Sequence, residues 1–137
     1  MGVVLGLGFV PPHWPAAVHG ELSAVGAVLA VAGGGVAVRA SRLLGRGFTP
    51  YPKPLDTGEL VETGPYRVVR HPVYGGGLLF FLGYSLFSSV PAVIGTAGLA
   101  VVWALKARVE EGFLAERYPG YHRYAERVRH RLIPFVY

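Results

Sequence analysis

The sequence predicts an all-α, polytopic integral membrane protein. It has about three transmembrane helices, two of them a tight hairpin, and further helices in a cytosolic C-terminal part. Three observations predict this. Apolar residues make up 52% of the 137-residue chain and charged residues 15%, with a mean hydropathy of +0.41. A soluble domain this small needs more charge to cover its surface. Residues 22–38 and 72–105 carry no charged side chain. All 13 Lys and Arg lie at or after Arg39, in two groups with an uncharged stretch between them. The length allows one domain, residues 1–137.

Residues 1–10 are too short to span a bilayer. They read as an interfacial or partly inserted segment, or half of a fourth span. With no basic residue and with Pro11, Pro12 and Pro15 following, the start does not resemble a signal peptide. His13 and Trp14, set between prolines, read as an interfacial anchor. A hydrocarbon core of about 30 Å takes roughly 20 helical residues at about 1.5 Å each. The first uncharged stretch makes one span if it starts near Ala16. His19 and Glu21 then pair at a polar spot or sit at headgroup level. Gly33-Gly34-Gly35 reads as a packing face or a kink. Residues 72–105 number 34, too many for one span and about right for two short ones. Ser88-Ser89-Val90-Pro91 marks the midpoint, since serine caps a helix N-terminus and proline fits its first turn. The spacing predicts helices over about 73–87 and about 91–108.

The basic groups are Arg39, Arg42, Arg46, Lys53, Arg67 and Arg70, then Lys106, Arg108, Arg117, Arg123, Arg127, Arg129 and Arg131. The positive-inside rule places the N-terminus outside and both groups in the cytosol. The net charge of +5 is then topological first and a contact with anionic membrane lipids second. Nucleic acid is not an expected partner. With no cysteine, disulfides, thiolate metal sites and cysteine nucleophiles are excluded. His122 and His130 lack a convincing metal-ligand spacing, so no metal site is expected.

The connector, about 39–72, and the tail, about 109–137, share the cytosolic side. Thr49-Pro50-Tyr51-Pro52-Lys53-Pro54 must be extended or polyproline-like. Leu60-Val61-Glu62-Thr63-Gly64-Pro65-Tyr66 reads as a short extended piece ending in a turn. Arg70-His71-Pro72-Val73-Tyr74 follows at the membrane boundary. Snorkelling arginine, interfacial tyrosine and a helix-opening proline are an ordinary explanation. It does not account for Gly75-Gly76-Gly77, which lower helix propensity and permit close approach of a backbone or a ligand. In the tail, Glu110 and Glu111 come one turn after the third span. Paired carboxylates beside a membrane need partners, and Lys106 can pair with Glu110 at i,i+4. Glu111, Leu114 and Tyr118 share a helical face. Tyr121, Tyr124 and Val128 repeat the spacing after a break at Pro119-Gly120. A second amphipathic helix therefore folds back, and Leu132-Ile133-Pro134-Phe135 packs down again.

Gly64-Pro65-Tyr66-Arg67-Val68-Val69-Arg70-His71-Pro72-Val73-Tyr74 resembles the G-x-Y-x-x-x-R-H-P-x-Y motif of the isoprenylcysteine carboxyl methyltransferase family, whose relatives include phospholipid N-methyltransferases. Glu110-Glu111-Gly112-Phe113-Leu114, Tyr118-Pro119-Gly120-Tyr121-His122-Arg123-Tyr124 and Arg131-Leu132-Ile133-Pro134 resemble the family's second motif. The resemblance covers a core of about residues 45–137. It implies S-adenosylmethionine bound on the cytosolic side beneath the C-terminal helices, and an opening between helices for a lipid-like substrate. By that resemblance Arg70, His71, Pro72, Tyr74, Glu110, Glu111, Tyr121 and Arg131 are cofactor candidates, and Arg70 and Glu111 are the expected catalytic residues. The N-terminal part departs from longer members, which carry additional spans.

The residues make that chemistry sensible. Methyl transfer from a sulfonium needs mainly alignment and a dry site. The cofactor's ammonium suits Glu110 or Glu111, and its carboxylate suits Arg70 or His71. Its sulfonium suits an aromatic face from Tyr66, Tyr74 or Tyr121. A carboxylate acceptor needs only a cation, from Arg67, Arg70 or Arg131, whereas an amine acceptor needs a base, for which a glutamate serves. The expected function is methyl transfer to a lipophilic or prenylcysteine-like acceptor, on a carboxyl group. Phospholipid N-methylation and an idle membrane scaffold are the alternatives.

Overall fold

The computed structural model describes residues 1–45 and 60–134. The proline-rich run 49–54, with Arg46, Lys53 and Phe135, lies outside them. Helix α1 spans Gly2–Leu7, α2 Ala16–Leu44, α3 Pro72–Ser88, α4 Val90–Arg117 and α5 Tyr121–Arg127, with a 3-10 turn at Gly64–Arg67. No strand occurs among the described residues, whose one isolated bridge joins His13 and Ser89. The chain is all-α, as its composition predicts.

Helices α2 and α4, of 29 and 28 residues, are long and apolar enough to cross a membrane. Only 11% and 17% of their most apolar windows are buried by the protein itself. The core helix of a soluble protein would be covered, whereas these apolar side chains need another apolar medium. The chain is a membrane protein. Helix α3, with 17 residues, is about 25 Å long at about 1.5 Å per residue, the short member of the hairpin.

One element differs from expectation. Helix α4 does not stop near residue 108 but runs on to Arg117. Its last turns are rich in Ala, Glu, Leu and Arg, and no proline interrupts them before Pro119. Glu110 and Glu111 therefore ride on the spanning helix itself. Residues 60–66 end in a turn as expected, a 3-10 turn that Pro65 opens after an extended Thr63.

The chain divides into two compact units. The first comprises Met1–Gly35 and Gly76–Val102. In it α2 and α3 run antiparallel through two glycine contacts seven residues apart. A Cβ on Gly26 would lie 2.5 Å from the Gly83 carbonyl oxygen, and one on Gly33 would lie 2.5 Å from both the Gly76 carbonyl oxygen and the Phe80 amide nitrogen. Small residues let membrane helices approach this closely. In the α3–α4 hairpin, Ser89 does not cap α4. Its hydroxyl donates to the Leu7 carbonyl at 2.8 Å, while the Ser85 and Thr96 hydroxyls pair at 2.8 Å. The N-terminal segment docks on this hairpin. The Tyr84 hydroxyl donates to the Leu5 carbonyl at 2.8 Å, and the Trp14 indole donates to the Ser85 carbonyl at 3.1 Å. Trp14 is thus anchored on protein. His19 faces the Ser23 hydroxyl at 3.4 Å.

The second unit comprises Val36–Gly75 and Trp103–Tyr137. Tyr121, Tyr124 and Val128 form its buried core, with Leu60, Leu114 and Tyr118 against them. The faces predicted for α4 and α5 are the ones that pack. The Tyr124 hydroxyl donates to the Tyr66 carbonyl at 2.8 Å, which ties α5 to the 3-10 turn. A Cβ on Gly75 would strike the Leu132 carbonyl oxygen. The glycine is there for a backbone, not a ligand.

Gly33→Ala is expected to lower stability by about 1–3 kcal/mol, because the α3 backbone at Gly76 and Phe80 leaves the added methyl nowhere to go. Gly98→Ala, where nothing lies within 4 Å, should be neutral or slightly stabilising. Thermal unfolding of the two variants in detergent checks the contrast.

Candidate functional site

Every residue of the candidate site belongs to the second unit. Residues 70–71 lead into α3, and Pro72, fully buried, occupies its first turn, where its missing N–H is no loss. The chain after α5 runs back beside them. The Arg70 amide donates to the His130 carbonyl at 2.9 Å, and the His71 amide donates to the Arg131 carbonyl at 2.8 Å. Two consecutive backbone bonds thus fix the register of both segments.

Glu111 lies at the centre. Its Oε1 accepts from Arg70 Nε at 2.8 Å and lies 3.3 Å from His71 Nε2. Its Oε2 accepts from Arg131 Nε at 3.0 Å. Arg70 Nη1 reaches the carbonyls of Ala125, Val128 and Arg129 at 3.2, 2.9 and 3.3 Å. Ala125 and the C-cap Val128 lie at the end of α5 and Arg129 just beyond it, where open carbonyls favour a cation. Arg70 therefore closes α5 and holds Glu111 with one guanidinium.

Glu110 takes a second set. Its Oε1 accepts from the Tyr74 hydroxyl at 2.6 Å and lies 3.7 Å from Lys106 Nζ, while its Oε2 lies 3.5 Å from His71 Nδ1. His71 therefore faces a carboxylate from each ring nitrogen. A neutral imidazole has one N–H, so this geometry calls for the imidazolium. Burial pushes the His71 pKa down, but the hydrogen bonds and charges of Glu110 and Glu111 outweigh it, and the result is raised. Tyr74 stacks on His71 at 5.7 Å between centroids and on Trp103 at 5.3 Å.

The structure brings Arg70, His71, Pro72, Tyr74, Glu110, Glu111 and Arg131 together. Tyr121 packs at the edge of this group. Its hydroxyl is buried without a hydrogen-bond partner among the described residues. Burial, then the Glu111 charge, pushes its pKa up, so it stays a donor. The Tyr66 hydroxyl donates to the Ala40 carbonyl at 3.4 Å and lies within electrostatic reach of Glu110 and Tyr74. Sequence reasoning missed Trp103. It also gave Lys106 only a pairing role, although that side chain lies against both Glu110 and the Tyr74 ring. The available signal was spacing, since Trp103, Lys106 and Glu110 recur at i, i+3 and i+7 on one helix.

Comparison with known proteins matches residues 22–120 to the family described as Phospholipid methyltransferase. Over 72 residues the chain is 42% identical to the cobalt-zinc-cadmium resistance protein CzcN of Cupriavidus metallidurans, covering 50% of this chain and 32% of that protein. The aligned part is thus about a third of that relative's length.

The His71 pKa is raised, so its ion pairs contribute fully below its ordinary value near 6.5 and are lost as pH rises through the raised value. The melting temperature of the wild type should therefore fall on raising pH above about 6.5, and His71→Gln should remove that part of the dependence. Parallel melts of both proteins across the range check it.

Proposed function

The chain belongs to the phospholipid methyltransferase family, a membrane methyltransferase by that membership, and on that premise we propose that it uses S-adenosylmethionine to methylate a lipophilic acceptor. The observation that carries this is the pair of glutamates gathered with an aromatic stack and a buried hydroxyl that lacks a partner among the described residues. Such a hydroxyl ordinarily finds one, and a polar ligand fits that need. A carboxylate beside aromatic faces suits an organic cation.

S-adenosylmethionine, when bound, supplies a methyl group already activated by a positive sulfur. The residues here have only to hold, align and keep the site dry. Glu110 would hold the ammonium, with Tyr74 and Tyr121 offering a ring face and a hydroxyl. Arg70 and Glu111 are engaged with one another, so in this reading they position the site, with His71 and Arg131 beside them. The acceptor is a carboxylate, prenylcysteine-like in character. What supports this is that both glutamates already have partners. A base for an amine would have to give up one of these, whereas a carboxylate needs no base. N-methylation of an amine headgroup is the second reading, favoured by the family's description. The distribution of basic residues supports a cytosolic site and an outside N-terminus.

Calorimetric titration of the detergent-purified protein with S-adenosylmethionine should show binding. Glu110→Gln should weaken it about tenfold or more, the loss of a charge-assisted bond. No heat from the wild type would leave the scaffold reading. Labelled methyl transferred into a total lipid extract should be base-labile, as an ester is, while a base-stable product identifies the amine.

A further inference from the structure

His71 touches both glutamates, and unequally. Its Nε2 lies 3.3 Å from Glu111 Oε1, whereas Nδ1 stands 3.5 Å from Glu110 Oε2. Only 7% of the side chain is exposed. Lys106, also on α4, shares Glu110. Arg70, which precedes the histidine, and Arg131, which follows α5, both hold Glu111. Tyr74 of α3 stacks on the imidazole, and Tyr121 of α5 stands within reach of the Glu111 charge. The two carboxylates therefore already face four cations.

An organic ammonium laid on Glu110 brings a further cation up to the imidazolium, and a like charge so close disfavours the protonated ring. Arg70 and Arg131 cannot answer by losing a proton. Imidazole can, because its ordinary titration lies near neutrality. A neutral ring keeps one N–H, and the closer contact, to Glu111, keeps it at Nε2. Nδ1 then changes from donor to acceptor and takes an N–H from the ammonium instead. We infer that His71 gives up its Nδ1 proton to solvent when the ammonium of a methyl donor takes Glu110, so that one cation replaces another beside that carboxylate. The inference rests on the methyl-donor reading of this site. The bond broken is the Nδ1–H bond, and its electron pair stays on the ring. The pKa of His71 is raised by its two carboxylates, so the empty site holds this proton near neutrality. Donor affinity consequently rises with pH until the empty site has itself lost the proton.

Calorimetry with S-adenosylmethionine at about pH 6.5, repeated in buffers of different ionisation enthalpy, reads the protons released. Wild type should release on the order of one half to one proton per ligand, and its affinity should rise about tenfold for each pH unit below that point. His71→Gln offers an amide in place of the ring. It should bind with the same heat in every buffer, and with an affinity that stays level over the same range. Wild-type heats that do not depend on the buffer overturn the inference, and so does a release that persists in His71→Gln. If that variant does not fold, S-adenosylhomocysteine decides on the wild type. It keeps the ammonium and lacks the sulfonium charge, so it should release the same proton, and binding without release overturns the inference. A wild type that does not bind S-adenosylmethionine overturns instead the reading beneath it.

Discussion

One carboxylate holds three pieces of chain that are far apart in sequence. Glu111 sits on α4, Arg70 and His71 lead into α3, and Arg131 follows α5. The charge of Glu111 offsets the largely buried Arg70 guanidinium and the buried His71 imidazolium, which would not be tolerated there unpaired, and the more exposed Arg131. The alignment of Glu110, one residue earlier on the same helix, depends on it. So does the turn of His71, which bridges both carboxylates. Arg70 extends the constraint to α5 through the carbonyls that this helix leaves open.

Much of this was legible. The uncharged stretches located three apolar helices to within a few residues at most of their ends, because apolar burial in lipid leaves a signal that needs no partner to read. The i,i+4 pair of Lys106 and Glu110 and the amphipathic faces of α4 and α5 were legible for the same reason, since both depend only on local spacing. The density of Arg, His, Tyr and Glu pointed to the right two segments. Which side chain met which was not legible. Arg70 as the cap of α5, or Tyr124 donating to the Tyr66 carbonyl, depends on where α5 returns, and no local pattern encodes that. Ser89 misled because its hydroxyl had two acceptable partners, and only the docked N-terminal segment supplies the Leu7 carbonyl.

The glycines divide along the same line. Gly33-Gly34-Gly35 and Gly75-Gly76-Gly77 were conspicuous as runs, and the choice between backbone and ligand lay outside the sequence. Both runs meet backbone: Gly33 meets Gly76, and Gly75 meets Leu132. Gly26 and Gly83 do the same work as isolated residues and were invisible. A helix interface needs a small residue once every two turns, and a single glycine in an apolar helix looks like composition.

The two backbone bonds from residues 70 and 71 to residues 130 and 131 bear on how the protein is made. Helices α2, α3 and α4 are complete by Arg117, so a nascent chain can be inserted while the segment carrying Arg131 is still inside the ribosome. Until that segment emerges, Glu111 lacks its Arg131 partner and residues 70 and 71 lack the carbonyls that fix them. Insertion and site assembly are therefore separate events in the life of the chain, and the second waits for the first.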